Sequence, residues 1–585
     1  MKLDEFQTAA VVTKANRVVV PATAGSGKTT TMVARIKYMV EEQHIHPRKI
    51  AVLTFTRYAA NGMKTKLGRL GRQLGFIGTI HAWVLNILKQ HGKARGWEGD
   101  WLTVLDDMEA REELEQALRD TGVKNRRGEW TACKAYEFEE FMRMRFQGDV
   151  GKPLESADFG KVHKINAALN AYSSALKAEN AMTFDMIIHE GLLLLQQFPD
   201  VLAAVRKACQ HIVIDEVQDT DLRQWAIVDL INPESLYLVG DVDQSIYEWR
   251  GAQPKKLIEI AMREDVTVLF LPKSYRFGTT IANYANNLID NNVDRLAMTI
   301  KAVGDSEGVA VMEHLTSGNA FEQIAADVTK HGGQNVAVLS RTHVVLQQVA
   351  EILNSAGVPY DYPGGDSDIT KTQQHRIVKG ILRLMVNKHD RRGFMAVVPA
   401  IEEFNEGKIL EIRDRAVKSG KSLYDTYGRT DLLPDRVWDI MQKAAELVPR
   451  AAWDVEKKFI DDIMLAEGYE KAQDLLNHMG MQGIQDKMQR ERTKLTLTTV
   501  HGAKGLEWPI VYVLGMNEGH MPSAKSIGEG RSEEERRCAY VAITRAQKKL
   551  NLCHMEDLPK STGVSSYIAE AQGSGQENEN GKDKT

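Results

Sequence analysis

The sequence predicts an α/β protein with two parallel-sheet cores, each interrupted by a mainly helical insertion. Two series of short β-branched runs, each followed by a turn or a helix, predict the cores, because strands buried on both faces read as continuous apolar runs. Two long stretches rich in Glu, Lys, Arg and Ala, almost without strand signal, predict the insertions. A glycine-rich loop between the first strand and a long helix marks where the first core meets a ligand.

In the first series, Val18-Val19-Val20, Ile50-Ala51-Val52-Leu53, Ile212-Val213-Ile214 and Leu236-Tyr237-Leu238-Val239 read as buried strands. The first insertion runs from about Trp83 to Asp185. A second series contains Val266–Leu271, Val336–Leu339, Leu495–Val500 and Ile510–Leu514, interrupted by a helical stretch from about Lys371 to Gln485. The expected division is therefore 1–82 with 186–270 for the first core, 83–185 for its insertion, 271–370 with 486–568 for the second core, and 371–485 for the second, short insertion. Residues 569–585, Gly-, Asn-, Glu- and Lys-rich with no apolar anchor in their last part, read as a disordered tail.

The 585 residues suffice for several domains, and 43% hydrophobic with 26% charged residues is ordinary for a globular protein. The formal net charge is only -4, so any nucleic-acid surface must be a local groove, since phosphate contacts need local Lys and Arg rather than a high overall pI. Cys133, Cys209, Cys538 and Cys553 form no C-x-x-C pair, which argues against a zinc site, an iron–sulfur cluster or a disulfide framework. The first residues, Met1-Lys2-Leu3-Asp4-Glu5-Phe6-Gln7, carry no apolar signal region, and apolar runs such as Gly191–Leu195 are too short to span a bilayer; a cytoplasmic protein is expected.

After Val20 comes Pro21-Ala22-Thr23-Ala24-Gly25-Ser26-Gly27-Lys28-Thr29-Thr30, then a helical pattern through Met32, Ile36 and Met39. Such a loop turns backbone N–H groups around a phosphate, with the helix N-terminus adding a favourable dipole. Lys28 can reach the β- and γ-phosphates of a nucleotide, and the Thr29 hydroxyl can hold Mg²⁺. Ala22 stands where the general pattern has its first glycine. The strand His211–Ile214 ends in Asp215-Glu216-Val217-Gln218-Asp219-Thr220, and a carboxylate at the C-terminal end of a parallel strand faces the ligand crevice. Asp215 is the expected Mg²⁺ ligand and Glu216 the group that orients and deprotonates the attacking water.

Further segments, in order along the chain, extend this pattern. They are Leu3–Gln7, Thr54-Phe55-Thr56-Arg57-Tyr58-Ala59-Ala60, Gly78-Thr79-Ile80-His81, Gly240–Ala252, Ser274-Tyr275-Arg276, Val500–Glu507, and Glu534–Arg537 through Tyr540–Ala546. With the phosphate loop and the acidic strand end, they resemble superfamily 1 helicases, the UvrD/Rep branch most closely, across both cores. The resemblance implies two RecA-like motor domains using ATP and Mg²⁺ to move 3′ to 5′ along single-stranded DNA and separate strands. An ATPase that senses DNA ends or strips bound proteins without unwinding, with a separate nuclease partner, would use the same residues. A helicase–nuclease fusion is not expected, because the chain ends soon after Arg545.

The resemblance also implies roles for single residues. Gln7 would read the adenine edge and Tyr275 would stack on the base. Ala24, Gly25, Ser26, Gly27 and Thr30 would complete the nucleotide cradle. Arg276 and Arg545 would contact the γ-phosphate from the second core, Gln244 would link that phosphate to the DNA site, and Glu507 would couple the two sets of contacts. Phe55, Thr79, His81, Tyr247, Trp249, Arg250 and His501 would line the single-strand path. Thr30 stands where many relatives carry an Arg.

Overall fold

The computed structural model describes residues 3–123, 162–305, 308–362, 372–401, 406–429, 431–449, 451, 453–467, 469–481, 494–559 and 561–573. It divides into two compact units. Met1–Trp83, Leu202–Ser367 and Gly483–Thr585 supply the first; Val84–Val201 and Asp368–Gln482 supply the second. Among the described residues no helix is long and apolar enough to cross a membrane.

The first unit holds both expected sheets. In the first, β1 (Arg17–Pro21), β2 (Ile50–Thr54), β3 (Phe76–Thr79), β4 (His211–Ile214), β5 (Ser235–Gly240) and β6 (Thr267–Val268) lie in the order β3-β2-β4-β5-β1-β6. Every pairing is parallel; Val52, for example, lies between Ile77 and Val213. In the second sheet, β7 (Gly308–Leu315), β8 (Val336–Ser340), β9 (Tyr360–Asp361), β10 (Leu495–Thr499), β11 (Trp508–Leu514) and β12 (Ala546–Met555) follow the order β7-β12-β11-β8-β10-β9, again all parallel. β2 and β8 are buried throughout, as their unbroken apolar runs require. Alternate residues serve opposite faces: Ile510, Tyr512 and Leu514 enter one apolar cluster with Val336 and Val338, while Val511 and Val513 enter another with Ala337 and Leu339.

One strand changes sheet. Val266–Leu271, read with the second series although the expected division gave 186–270 to the first core, runs along the edge of the first sheet: Thr267 and Val268 pair with Val18 and Val19, and the N–H groups of Leu269 and Leu271 donate to the carbonyls of Val19 and Pro21. An apolar run reports that a strand exists but not which sheet takes it. The expected tail also begins later than residue 569. A helix over Ser566–Gln572 buries Tyr567, Ile568 and Ala571, whereas 574–585 lie outside the described residues.

Three helices of this unit carry the site. α1 (Glu5–Val12) starts in a capping box between Asp4 and Gln7. α2 (Lys28–Glu41) follows the phosphate loop, and α3 (Ser532–Ile543) leads into Arg545 and β12. Buried Arg35 of α2 donates to the carbonyls of Val11 and Thr13, pinning the end of α1 to the helix behind the loop.

Among its described residues the second unit is helical, apart from a two-residue parallel pair of Thr103–Val104 with Ala181–Met182. It joins both insertions: the Val104 N–H donates to Asn477 Oδ1 at 2.8 Å. It also extends past Asp185, taking in the helix Phe184–Gln197. Ion pairs also cross between the segments. Arg383, 1% exposed, meets Glu109 at 2.7 Å and Asp390 at 3.2 Å, Lys379 meets Glu109 at 2.8 Å and also Asp106, and Arg392 meets Glu113 at 3.0 Å and also Glu179.

Candidate active site

The phosphate loop links β1 to α2. Gly25 and Gly27 both have φ +77°, a conformation that L side chains rarely adopt. A Cβ on Gly25 would stand 2.5 Å from Arg276 Cβ, and one on Gly27 would stand 2.7 Å from Gln7 Nε2. The loop is therefore bare backbone on the side where the second core and α1 approach. Ala24 is buried in the apolar cluster of the second core, and the Ser26 hydroxyl is buried without a hydrogen-bond partner. A bare cradle with an unsatisfied hydroxyl, at the start of a helix with no side-chain cap, fits a bound phosphate chain. Lys28, Thr29 and Thr30 open that helix, half-buried.

Facing the loop, β4 ends in the two carboxylates. Glu216 sits at φ 50°, ψ 41°, an uncommon conformation for a residue with a side chain, which turns its carboxylate towards Lys28 Nζ, 3.5 Å away. Gln218 Nε2 holds the other Glu216 oxygen at 2.6 Å. Burial alone would neutralise Glu216; Lys28 and Lys504 outweigh it and keep the carboxyl ionised at neutral pH. Asp215 has the opposite balance, since burial and the adjacent Glu216 charge push it up. Two neighbouring carboxylates are thus set apart, one held as an anion beside a cation and one short of positive charge.

The second core closes the site with cations. Arg276 donates to Glu507 at 2.6 Å and to the Thr544 carbonyl at 2.7 Å. Arg545, 1% exposed, donates to the carbonyls of Val541 and Leu506, to Thr544 Oγ1, and to Gln244 Oε1 at 3.1 Å. Gln244 in turn donates to Asp241 Oδ2 at 2.6 Å, so its amide bridges the acidic strand ends of one core and an arginine of the other. On the opposite flank, Gln7 Nε2 donates to the Ser26 carbonyl at 3.0 Å, while the exposed Tyr275 donates to Asp4 Oδ2 at 2.6 Å.

The aromatic residues named from sequence come together beside Gln244. Phe55 stacks on Tyr247 with centroids 5.2 Å apart; His501 lies 5.8 Å from Tyr247 and 6.0 Å from Trp249; Arg250 lies over the Trp249 ring at 4.8 Å. Tyr247 donates to the His501 carbonyl, and His501 Nε2 lies 3.1 Å from the Ile246 carbonyl, so these rings join the cores. Burial, with Arg341 and Arg250 nearby, pushes His501 down to about 3, so it is neutral. Thr79 ends β3 beside Thr54 and accepts the Ala82 N–H, and half-buried His81 lies near Arg223.

Four site residues were not singled out from sequence. Lys504, 4% exposed, donates to both oxygens of buried Asp219 at 2.8 and 2.6 Å and to the Gln244 carbonyl at 2.5 Å. Gln218 ties Glu216 to the Asp241 N–H. Arg537 donates to the Ser245 carbonyl at 2.9 Å. All four lay within the quoted acidic segment or the two late ones, but a motif cannot show which residues of another core meet it.

A phosphate loop, an Asp–Glu strand end and arginines presented by a second parallel sheet define a two-core P-loop nucleoside triphosphatase. The family model described as the UvrD/REP helicase N-terminal domain matches residues 3–264, and that described as the UvrD-like helicase C-terminal domain matches 456–557, together more than half of the chain. The chain belongs to the UvrD/Rep family of ATP-dependent DNA helicases. It is similar to the ATP-dependent DNA helicase PcrA of Staphylococcus aureus (strain MRSA252), 26% identical over 606 residues, which covers 94% of this chain and 82% of that protein. The same identity and coverage hold over 610 residues for PcrA of Staphylococcus epidermidis (strain ATCC 12228).

Proposed function

We propose that the chain is an ATP-driven motor that moves 3′ to 5′ along single-stranded DNA and separates strands ahead of it. The observation that supports this reading most directly is the Gln244 amide, held between Asp241 and Arg545 in the same short segment as Tyr247 and Trp249. One loop thereby carries a group beside the phosphate site and rings suited to bases.

In this reading two of the three phosphate-seeking cations wait on carboxylates. Lys28 rests on Glu216 and Arg276 on Glu507. When ATP enters, Lys28 moves to its phosphates, leaving Glu216, still oriented by Gln218, to take a proton from the attacking water. Thr29 and Asp215 would hold Mg²⁺, which would supply neutralising charge to the phosphates. Arg276 and Arg545 stabilise charge that develops in the transition state. Gln7 and Tyr275 flank the base. Polarity is carried by the family likeness alone.

The test is unwinding of duplexes with a 3′ tail, a 5′ tail or none, in DNA and RNA versions, beside ATPase assays. Unwinding from the 3′ DNA tail is expected, with Lys28→Ala below about a tenth of wild-type turnover and Glu216→Gln binding nucleotide but hydrolysing it slowly. Unwinding only from a 5′ tail overturns the polarity. Stimulated ATPase without unwinding supports an end-sensing or protein-stripping ATPase instead. Normal hydrolysis by Glu216→Gln removes it as the base.

A further inference from the structure

Arg295 lies outside every segment that carries the family likeness. It sits in the second core, in the loop between the helix Thr279–Ile289 and Lys301. Its side chain is 10% exposed and reaches across to the first core, where Nε donates to Asp243 Oδ1 at 3.2 Å and Nη2 to Oδ2 at 2.8 Å. This is a fork on a carboxylate that is itself 4% exposed. Arg295 also pairs with Asp290 and donates to the Met298 carbonyl at 3.1 Å. Its loop is anchored to α3: Glu533 accepts the N–H groups of Val293 at 2.9 Å and Asp294 at 3.2 Å, and Arg536 donates to Asn292 Oδ1 at 2.7 Å.

Asp243 immediately precedes Gln244, and Ser245, whose carbonyl accepts from Arg537 of α3, follows it. Two guanidinium groups thus grip the residues on either side of Gln244, both braced on the helix that leads to Arg545. We propose that Arg295 is a positioning residue for ATP turnover: with Arg537 it fixes the backbone of Asp243–Ser245 so that the Gln244 amide meets Arg545. The inference rests on the ATP-hydrolysing reading of this site. Its physical basis is that an error of about 1 Å in a catalytic array can cost on the order of a hundredfold in rate, whereas substrate binding by the phosphate loop is unaffected.

The experiment compares Arg295→Met, Arg295→Lys, Asp243→Asn and the Met/Asn double variant in DNA-stimulated ATPase, with melting temperatures. Arg295→Met and Asp243→Asn should each lower kcat by ~10-fold or more with KM for ATP within ~2-fold, and the double variant should be no worse than the poorer single. Arg295→Lys keeps the charge but cannot fork; it should melt like wild type and still lose most of that kcat. Wild-type kcat in Arg295→Lys overturns the proposal, leaving Arg295 as neutraliser of a buried carboxylate, and it decides the matter if the Met variant does not fold. Equal changes in kcat and KM, or additive losses in the double variant, also overturn it. A wild-type protein without DNA-stimulated ATPase would instead defeat the functional reading, visibly and before any variant is made.

Discussion

Trp249 is gripped at both ends of its chemistry. Its backbone N–H donates to Glu534 Oε1 at 3.3 Å, and its half-buried indole packs on the second core's apolar cluster beneath Arg250. If the ring holds a base, Trp249→Ala should weaken single-strand affinity by roughly ten- to a hundredfold, the worth of about 1–3 kcal/mol of stacking, while DNA-free hydrolysis survives. Because the indole also covers apolar surface, a fall of a few degrees in melting temperature should accompany it. A steep melting loss with unchanged affinity would make Trp249 a packing residue. At this scale the residues proposed for ATP chemistry and base contact were named from sequence, Lys28 and Glu216 by the chemistry of their segments and Arg545 and Tyr247 by the family resemblance. Their restraints were not. Lys504 and Asp219 stand 285 positions apart, and no local pattern brings an ammonium to that carboxylate.

Elements read well where pattern and burial agree, as in β2 and β8, and poorly where charge interrupts them. β12 begins Ala546-Gln547-Lys548-Lys549 and was not anticipated as a strand, yet it pairs with both β7 and β11. Its polar first half is partly exposed and only its second half is buried throughout, so alternation never forms. The phosphate loop is the element whose geometry invites a direct test. Gly25 faces Arg276 and Ser274, whereas Gly27 faces the movable end of Gln7. Alanine at either position is strained by the positive φ. Gly25→Ala should further displace an arginine of the second core and fall mainly on kcat. Gly27→Ala should disturb the base side and fall mainly on KM for ATP. Steady-state kinetics of both variants decide; the same split in each would show that loop strain alone, and not its neighbours, sets the effect.

At the scale of the whole molecule, the helical unit is held across its two segments by paired charges. Burial by itself would raise Glu109, but Arg383 and Lys379 outweigh it and hold the carboxyl well below the usual carboxylate range. A depressed carboxylate stabilises the fold above its unfolded pKa and loses that contribution as pH falls below it. Protection from hydrogen exchange over Asp107–Asp120, taken relative to the intrinsic rate at each pH, should therefore be high at pH 7 and fall below about pH 4.5, with Glu109→Gln removing much of that dependence. Arg383→Met, which strands Asp390 and leaves Glu109 to Lys379, should cost the unit about 3–5 kcal/mol. Exchange unchanged by either variant would mean that apolar packing alone joins the segments.

The same arrangement bears on how the chain is made. The helix Asp107–Asp120 leaves the ribosome roughly 250 residues before its partner Gln373–Val386, a delay of between roughly ten and fifty seconds at ordinary elongation rates. Throughout that interval half of the unit must wait in water without its other half. A face of Asp106, Glu109 and Glu113 can wait hydrated, whereas an apolar face of that size would invite nascent chains on neighbouring ribosomes to stick together.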